Sequence, residues 1–152
     1  MLLEGKFTLK ADIQDTWDSL IKPETLAACI PGCEKMEAID DKTFNTIVVA
    51  KVGFISVRFQ FTTTLTEIEP PKHLKAVGKG QDLRKQGSFS QETVVDIREI
   101  AEGELEVTYK SNVSIAGKLA TFGDRIMRAK AKELEREFTR ALQEKLSAEK
   151  AV

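Results

Sequence analysis

Thiol and imidazole chemistry in this sequence is limited to Cys29, Cys33 and His73, the only cysteines and histidine present. Three residues separate the two cysteines, which differs from the two-residue gap of a thioredoxin-type redox motif, and no second pair exists for a zinc site. We therefore expect structural thiols rather than a reactive or metal-binding pair. A catalytic Cys-His or Ser-His-Asp arrangement would have to use His73. This histidine follows a Pro-Pro-Lys turn that leads into a strand, so we expect a surface position.

Carboxylates and basic side chains supply no convincing catalytic pair. Glu92 and Asp96 lie on the polar phase of their strand, and Glu67 and Glu69 lead into the Pro-Pro turn. We expect these groups to be solvated charges rather than acids or bases in a site. The segment 78–80, Gly-Lys-Gly, lacks a phosphate-loop pattern. The sequence predicts no catalytic residue, no metal site and no cofactor.

Composition limits the classes of partner. The 152 residues include 23 Lys or Arg and 24 Asp or Glu, and this near balance argues against nucleic-acid binding. No apolar run approaches the roughly 18 residues needed to cross a bilayer. The N-terminus also lacks the basic and apolar regions of a signal peptide. We expect one cytoplasmic domain over residues 1–152.

A mild basic bias marks the first half of the last helical segment, at Arg125, Arg128, Lys130 and Lys132. This bias leaves open a weak peripheral contact with acidic lipid headgroups, at the inner face of the membrane, or with a partner. The alternative is a solvated helix face with charges in helical pairs, which we favour.

Hydrophobic periodicity predicts the elements that position these side chains. Alternation is clearest from Ile55 onward, where every second residue to Leu65 is apolar apart from Thr63. Similar patterns predict an opening strand, then two short helices around Trp17 and Leu26, and strands at 34–39, 43–52, 74–81, 88–97 and 104–115. An apolar stripe at helical spacing predicts a long helix from about Lys118 to Leu146. The prediction is an α+β fold in which a bent antiparallel sheet is packed against one long helix.

Glycines and polar groups interrupt the apolar phase of the predicted sheet. Bulk falls along the strand through Ala76, Gly78 and Gly80, and hydroxyls alternate with aromatic residues on neighbouring strands. Apolar walls with a few convergent polar groups are typical of a small-molecule pocket. The alternative is that the glycines mark bulges and the hydroxyls bond locally. The predicted lining is Phe59, Phe61, Thr63, Ala76, Gly78, Gly80, Phe89, Gln91, Thr93, Tyr109 and Ser111 from the sheet, with Phe122, Ile126 and Met127 from the helical segment.

Several segments together resemble a known family. They are the Trp-Asp-Ser-Leu helix at 17–20, Ile-Pro-Gly-Cys-Glu at 30–34, Val-Gly-Phe-Ile at 52–55, Gly-Lys-Gly at 78–80 and Ile-Ala-Gly-Lys-Leu-Ala-Thr-Phe-Gly at 115–123. Over nearly its whole length the chain resembles the family of the carbon monoxide dehydrogenase G subunit, which belongs to the START-like, helix-grip (SRPBCC) superfamily.

The resemblance implies a curved antiparallel sheet of about seven strands that grips the C-terminal helix, with a hydrophobic cavity between them. It also implies a non-catalytic accessory role beside a molybdenum-containing dehydrogenase, through recruitment to the membrane or carriage of a quinone-like lipid. Many members continue past the helix into an apolar tail that contacts the membrane. This sequence stops at Val152, which puts anchoring by such a tail in doubt.

Two functions of different class follow. The first is a carrier or accessory protein for a hydrophobic small molecule, quinone-like or fatty-acid-like. The second is an enzyme of the cyclase or dehydratase type, because START-like folds host both. An enzyme needs an acid or base that faces the cavity, and the inward phase supplies mainly Tyr109 and neutral groups, which favours the carrier.

Overall fold

Seven antiparallel strands form one curved sheet in the computed structural model, which describes the backbone of residues 1–150 and the side chains of residues 1–148. Ala151 and Val152, on which the expectation about a tail rests, lie outside the described residues. The elements, in chain order, are β1 (Leu2–Lys10), α1 (Ile13–Ile21), α2 (Pro23–Cys29), β2 (Cys33–Ala38), β3 (Thr43–Val52), β4 (Ile55–Glu69), β5 (His73–Asp82), β6 (Gly87–Ala101), β7 (Glu104–Gly117), a 3₁₀ turn (Lys118–Phe122) and α3 (Gly123–Lys150). The spatial order is β1-β7-β6-β5-β4-β3-β2, and the predicted α+β architecture is confirmed.

Successive turns of an antiparallel sheet alternate between its two ends. The turns β2–β3, β4–β5 and β6–β7 lie at one end, which we call the acidic end after Asp40, Asp41, Glu69, Glu99 and Glu102. The turns β3–β4 and β5–β6 and the 3₁₀ turn lie at the other end. We call this end the basic tip, defined by residues 51–54, 83–86 and 118–125.

The local sequence determines where helices α1 and α3 begin. Asp12 caps α1, because its carboxylate accepts hydrogen bonds from the backbone N–H groups of Gln14 and Asp15. The long helix was predicted from about Lys118, but α3 begins at Gly123 and a 3₁₀ turn precedes it. The reason is backbone geometry: Gly123 has a φ of 79°, which the interior of a helix excludes, so α3 can only start there, and Gly117, with a φ of 84°, ends β7.

Two hydrophobic clusters form between the sheet and the helices. Cluster 1 lies toward the acidic end and contains Leu9, Trp17, Leu105, Val107 and Leu142 among its buried members. Cluster 2 lies under the basic tip and contains Val52, Ile55, Val57 and Leu119. Along the central strands, the residues that lie between cluster 1 and cluster 2 are therefore not among the buried members of either cluster.

Candidate functional site

The middle of the concave face is less completely buried than the clusters on either side. Cross-strand register puts Phe61 opposite Gly80 and Gly80 opposite Phe89, and puts Thr63, Gly78 and Gln91 in the next row. Most of these side chains are only partly buried. We call this region the central cleft; it comprises Phe59, Phe61, Thr63, Gly78, Gly80, Phe89, Gln91, Thr93 and Ser111.

An aromatic group forms the wall of the central cleft nearest the basic tip. The Phe89 ring lies edge-on to Phe59 at 5.0 Å and to Phe61 at 5.4 Å between centroids. These rings come from β4 and β6 and meet across Gly80 on β5. A Cβ atom at position 80 would collide with the Phe61 backbone and the Gln60 carbonyl, so only glycine is accommodated there.

A polar row crosses the sheet next to this aromatic wall. The hydroxyls of Thr93 and Ser111 are 2.8 Å apart, and the Thr93 hydroxyl lies 3.4 Å from the Gln91 side-chain oxygen. A Cβ atom built on Gly78 would lie 3.2 Å from Gln91 Nε2 and 3.4 Å from Thr63 Oγ1. Because Gly78 has no side chain, the space beside the Gln91 and Thr63 side chains stays free. The polar row can donate hydrogen bonds to a ligand's polar group or accept them from it.

Tyr109 extends the polar row toward α3. Its hydroxyl donates a hydrogen bond to the Glu135 carboxylate, and both groups lie directly over Gly5 of β1. Burial, together with the hydrogen bond to Glu135, raises the pKa of Tyr109 above its ordinary value. The phenol therefore stays protonated and can act as a donor but not as a base.

The helical residues predicted to line a cavity divide into two groups. Met127 is partly buried and packs against cluster 2. Phe122 also packs against cluster 2, and its ring lies edge-on to Phe54 at the basic tip, with 5.5 Å between centroids. Ile126, in the first turn of α3, is 40% exposed, so its predicted contact with a ligand stays a prediction.

Two depressions flank α3. One, of about 430 Å³, runs between β1 and the helix and includes Phe7, Glu135, Thr139 and Gln143 in its lining. The other, of about 290 Å³, opens at the start of α3 and includes Val113, Ile115 and Met127. The second depression lies at the basic tip, where the concave face meets solvent.

The remaining residues of chemical interest lie outside the central cleft. No disulfide joins Cys29 and Cys33, both within the described range, and burial raises the pKa of the Cys33 thiol. His73 lies on the opposite, convex face, as a surface histidine that is 22% exposed. Its Nδ1 is 2.6 Å from Asp96 Oδ1 and its Nε2 is 3.0 Å from Glu67 Oε2. Hydrogen bonds to Glu67 and Asp96 raise the pKa of His73 to about 9.

Sequence reasoning missed Glu135 and Gly5. Glu135 lies seven residues before Leu142 and three before Phe138, so it interrupts the apolar stripe of α3. A charged residue within an apolar stripe was the signal that the sequence offered. Gly5 interrupts the apolar alternation of Leu3, Phe7 and Leu9 in the same way. Both interruptions point to one place, the Tyr109 hydroxyl.

Solved structures of similar fold come from several bacteria. A conserved protein from Geobacillus kaustophilus is 25% identical with a TM-score of 0.91, and the match covers 97% of this chain and 96% of that one. A START superfamily protein from Mycobacterium smegmatis is 11% identical with a TM-score of 0.76 and 97% coverage of both chains. A protein from Chromobacterium violaceum is 12% identical with a TM-score of 0.72, covering 95% of this chain and 96% of that one. A comparison with curated proteins found no significant match.

The family assignment rests on a match to a family model over nearly the whole chain. Residues 5–147 match the model of the carbon monoxide dehydrogenase G subunit (CoxG), a span that contains all seven strands in whole or part and most of α3. The solved structures support the same fold, a seven-stranded antiparallel sheet packed against a long C-terminal helix. Among the described residues, no helix combines the length and apolarity needed to cross a bilayer. The chain belongs to the CoxG family.

Proposed function

We propose that this protein is a non-catalytic carrier that holds an elongated hydrophobic molecule with a polar head, quinone-like or fatty-acid-like, in the central cleft. The observation that supports the proposal is the contrast along the central strands. Side chains in clusters 1 and 2 are buried, whereas Phe59, Phe61 and Phe89 between them keep part of their surface exposed. An apolar ligand that covers these rings would gain the burial that the protein itself leaves incomplete.

The polar row gives the proposed ligand an orientation. Its apolar body would lie against Phe59, Phe61 and Phe89, and its carbonyl, hydroxyl or carboxyl group would reach Gln91 and Thr93. Quinones carry carbonyl acceptors and fatty acids carry a carboxyl group, so both have a head that this row can bind. Family membership supports the cellular setting that we propose. The protein would act in the cytoplasm, in passing contact with the inner face of the membrane, as an accessory to a molybdenum-containing oxidoreductase of the carbon monoxide dehydrogenase type.

The alternative, a small-molecule enzyme of the cyclase or dehydratase type, would have to use Tyr109 and Glu135. These are the acid–base groups that meet beside the central cleft. Their mutual hydrogen bond leaves the phenol protonated, and the raised pKa of Tyr109 removes it as a base. The Tyr109 hydroxyl donates its hydrogen bond to Glu135 instead of presenting it to a ligand in the cleft, and this pairing favours binding over proton transfer.

Titration with cis-parinaric acid, followed by displacement with decylubiquinone, tests the carrier. Gly78→Leu should weaken binding at least tenfold, because the new side chain would enter the central cleft, where its Cβ meets only side-chain atoms of Gln91 and Thr63 and no backbone. Gln91→Leu should weaken binding by about three- to tenfold, the equivalent of one hydrogen bond.

The matched control is Gln60→Leu, the same change on the exposed convex face of β4. Thermal melts would show that each variant is folded. Gly80→Leu is unsuitable here, because its side chain would collide with the β4 backbone. Equal affinity in wild type, Gly78→Leu and Gln91→Leu would overturn the proposal.

A further inference from the structure

The basic tip exposes large apolar side chains in two separate turns. Phe54, in the β3–β4 turn, is 81% exposed, and Leu83, in the β5–β6 turn, is 45% exposed. An isolated exposed leucine is ordinary, but a phenylalanine presented almost completely to solvent beside a second apolar residue indicates an interaction surface.

Three segments hold the basic tip in one arrangement. Gln86 Nε2 donates to the Ser56 carbonyl at 3.0 Å, which links the β5–β6 turn to the start of β4. The Leu119 N–H donates to the Gln86 carbonyl at 3.2 Å, which links the same turn to the 3₁₀ turn. Phe122 closes the ring of contacts by packing edge-on against Phe54. Phe54 and Leu83 are therefore presented by a packed structure over cluster 2.

Cations surround these apolar side chains. Lys51, Arg84, Lys85, Lys118 and Arg125 are all exposed, and none of them forms an ion pair within the described part of the chain. Asp124 opposes them, whereas Asp82 is buried and its carboxylate accepts hydrogen bonds from three backbone N–H groups. The formal net charge of -1 thus conceals an uneven distribution, since the acidic end lies opposite.

We propose that the basic tip docks on an anionic lipid bilayer, with Phe54 and Leu83 in the interface and the surrounding Lys and Arg side chains at the phosphate groups. Aromatic rings are favoured at the boundary between headgroups and acyl chains, and clustered cations bind acidic lipids. Apolar residues on two separate turns within a ring of cations suit a fluid surface that adapts to their spacing. The proposal deepens the membrane contact of the proposed function by assigning its surface.

Docking in this orientation would also place the end of the concave face that adjoins the basic tip at the membrane. The depression of about 290 Å³ at the start of α3 is lined in part by Met127, Val113 and Ile115, and the last two pair with Gln91 and Phe89 of the central cleft. A lipid-like ligand could pass between bilayer and cleft by this route. This last step rests on the proposed function, whereas docking itself does not.

Sedimentation of the full chain with vesicles tests the docking. One set contains equal parts of phosphatidylcholine and phosphatidylglycerol, and the other contains phosphatidylcholine alone. Phe54→Ser should lower the partition coefficient at least tenfold, as expected for about one phenylalanine side chain removed from the interface. The double variant Arg84→Gln, Lys85→Gln should lower it about fivefold for each charge on the anionic vesicles.

Ile39→Ser is the matched control, because Ile39 is 62% exposed in the β2–β3 turn at the acidic end. It should bind anionic vesicles as wild type does. Phe54→Trp adds an independent measurement, since the one natural tryptophan, Trp17, is buried and the new indole should shift to the blue on anionic vesicles. Failure of the wild type to bind anionic vesicles would overturn the proposal and would favour an acidic protein as partner. Equal binding by wild type and Phe54→Ser would also overturn it.

The two proposals can fail separately. Titration with cis-parinaric acid contains no bilayer, so its outcome does not depend on the basic tip. If the protein binds cis-parinaric acid but not vesicles, the carrier proposal holds and the docking proposal does not. The reverse result would leave a membrane-docking protein whose cleft holds another ligand.

Discussion

At the acidic end of the sheet, Leu142 of α3 and Leu105 of β7 are each 1% exposed, whereas at the basic tip Phe54 is 81% exposed. The two ends use the same sheet and the same long helix. They differ in what covers the apolar residues, since α1, α2 and the second half of α3 close over cluster 1. At the tip, only short turns and the start of α3 are available.

Because of this difference, the acidic end contributes mainly to stability, whereas the central cleft and the basic tip offer surface for association. Cluster 1 buries aliphatic and aromatic side chains that folding requires, and no ligand is needed to complete it. The central cleft and the basic tip keep apolar surface exposed, at a cost that binding would recover. Substitutions at the two ends should therefore change different measured quantities.

The largest effect on stability should come from Leu142→Ala. The side chain is fully buried in cluster 1, so its removal should lower the free energy of unfolding by about 2–5 kcal/mol. Met127→Ala, at the partly exposed start of α3, should cost less stability and should instead change the affinity for cis-parinaric acid. Urea unfolding and ligand titration of both variants measure the contrast. If Met127→Ala is the more destabilising of the two, the assignment of stability to the acidic end is wrong.

An intermediate effect should come from Asp82→Asn, which alters the turn that carries Leu83 and Arg84. Asp82 Oδ1 accepts from the Arg58 N–H at 2.8 Å, and Oδ2 accepts from the N–H groups of Gln86 and Arg84. An asparagine would face one or two of these donors with its own N–H₂ group. The expected loss is about 1.5–3 kcal/mol, typical of hydrogen bonds to a charged group.

The pH dependence of this contribution has a definite sign. Although burial opposes ionisation, the three backbone donors hold the pKa of Asp82 below its ordinary value of 3.8. Its contribution to stability is therefore complete above pH 3.8 and is lost as the pH falls through the lower value of the folded state. Asp40→Asn in the exposed β2–β3 turn is the matched control and should change stability less. Similar losses in both variants would contradict the role given to Asp82.

The sequence predicted the sheet because each strand carries its own signal. Alternation along Ile55, Val57, Phe59 and Phe61 requires no knowledge of neighbouring strands, and the register confirms that this phase faces the same side as Gly78 and Gly80. The long helix was predicted for the same reason. Its start was misplaced because periodicity cannot detect the positive φ of Gly123.

Features that depend on register could not be predicted in this way. His73, Glu67 and Asp96 lie on three different strands, and they meet because β5 pairs with β4 on one side and with β6 on the other. Tyr109 and Glu135 are 26 residues apart and meet only because α3 crosses β1. The ring of cations at the basic tip likewise depends on which turns share an end of the sheet. That arrangement follows from the strand order rather than from any one segment.

The smallest effect should come from His73, on the convex face near the acidic end. Its two ring nitrogens face Asp96 and Glu67, and both can donate hydrogen bonds only when the ring is protonated. The pKa of His73 is raised from 6.5 to about 9 by these partners. In the unfolded chain the imidazole loses its proton near pH 6.5, so the stabilising contribution is complete below that pH. It should decline as the pH rises toward about 9, where the folded protein also loses the proton.

Urea unfolding of wild type and variants across this pH window measures the contribution of His73. The wild type should show a fall in stability with rising pH that is smaller in His73→Asn, because asparagine carries no proton to lose. Glu67→Gln should reduce the fall as well, since Glu67 is one of the two groups that hold the proton. An equal fall in wild type and His73→Asn would show that the three side chains contribute nothing to the pairing of β4, β5 and β6.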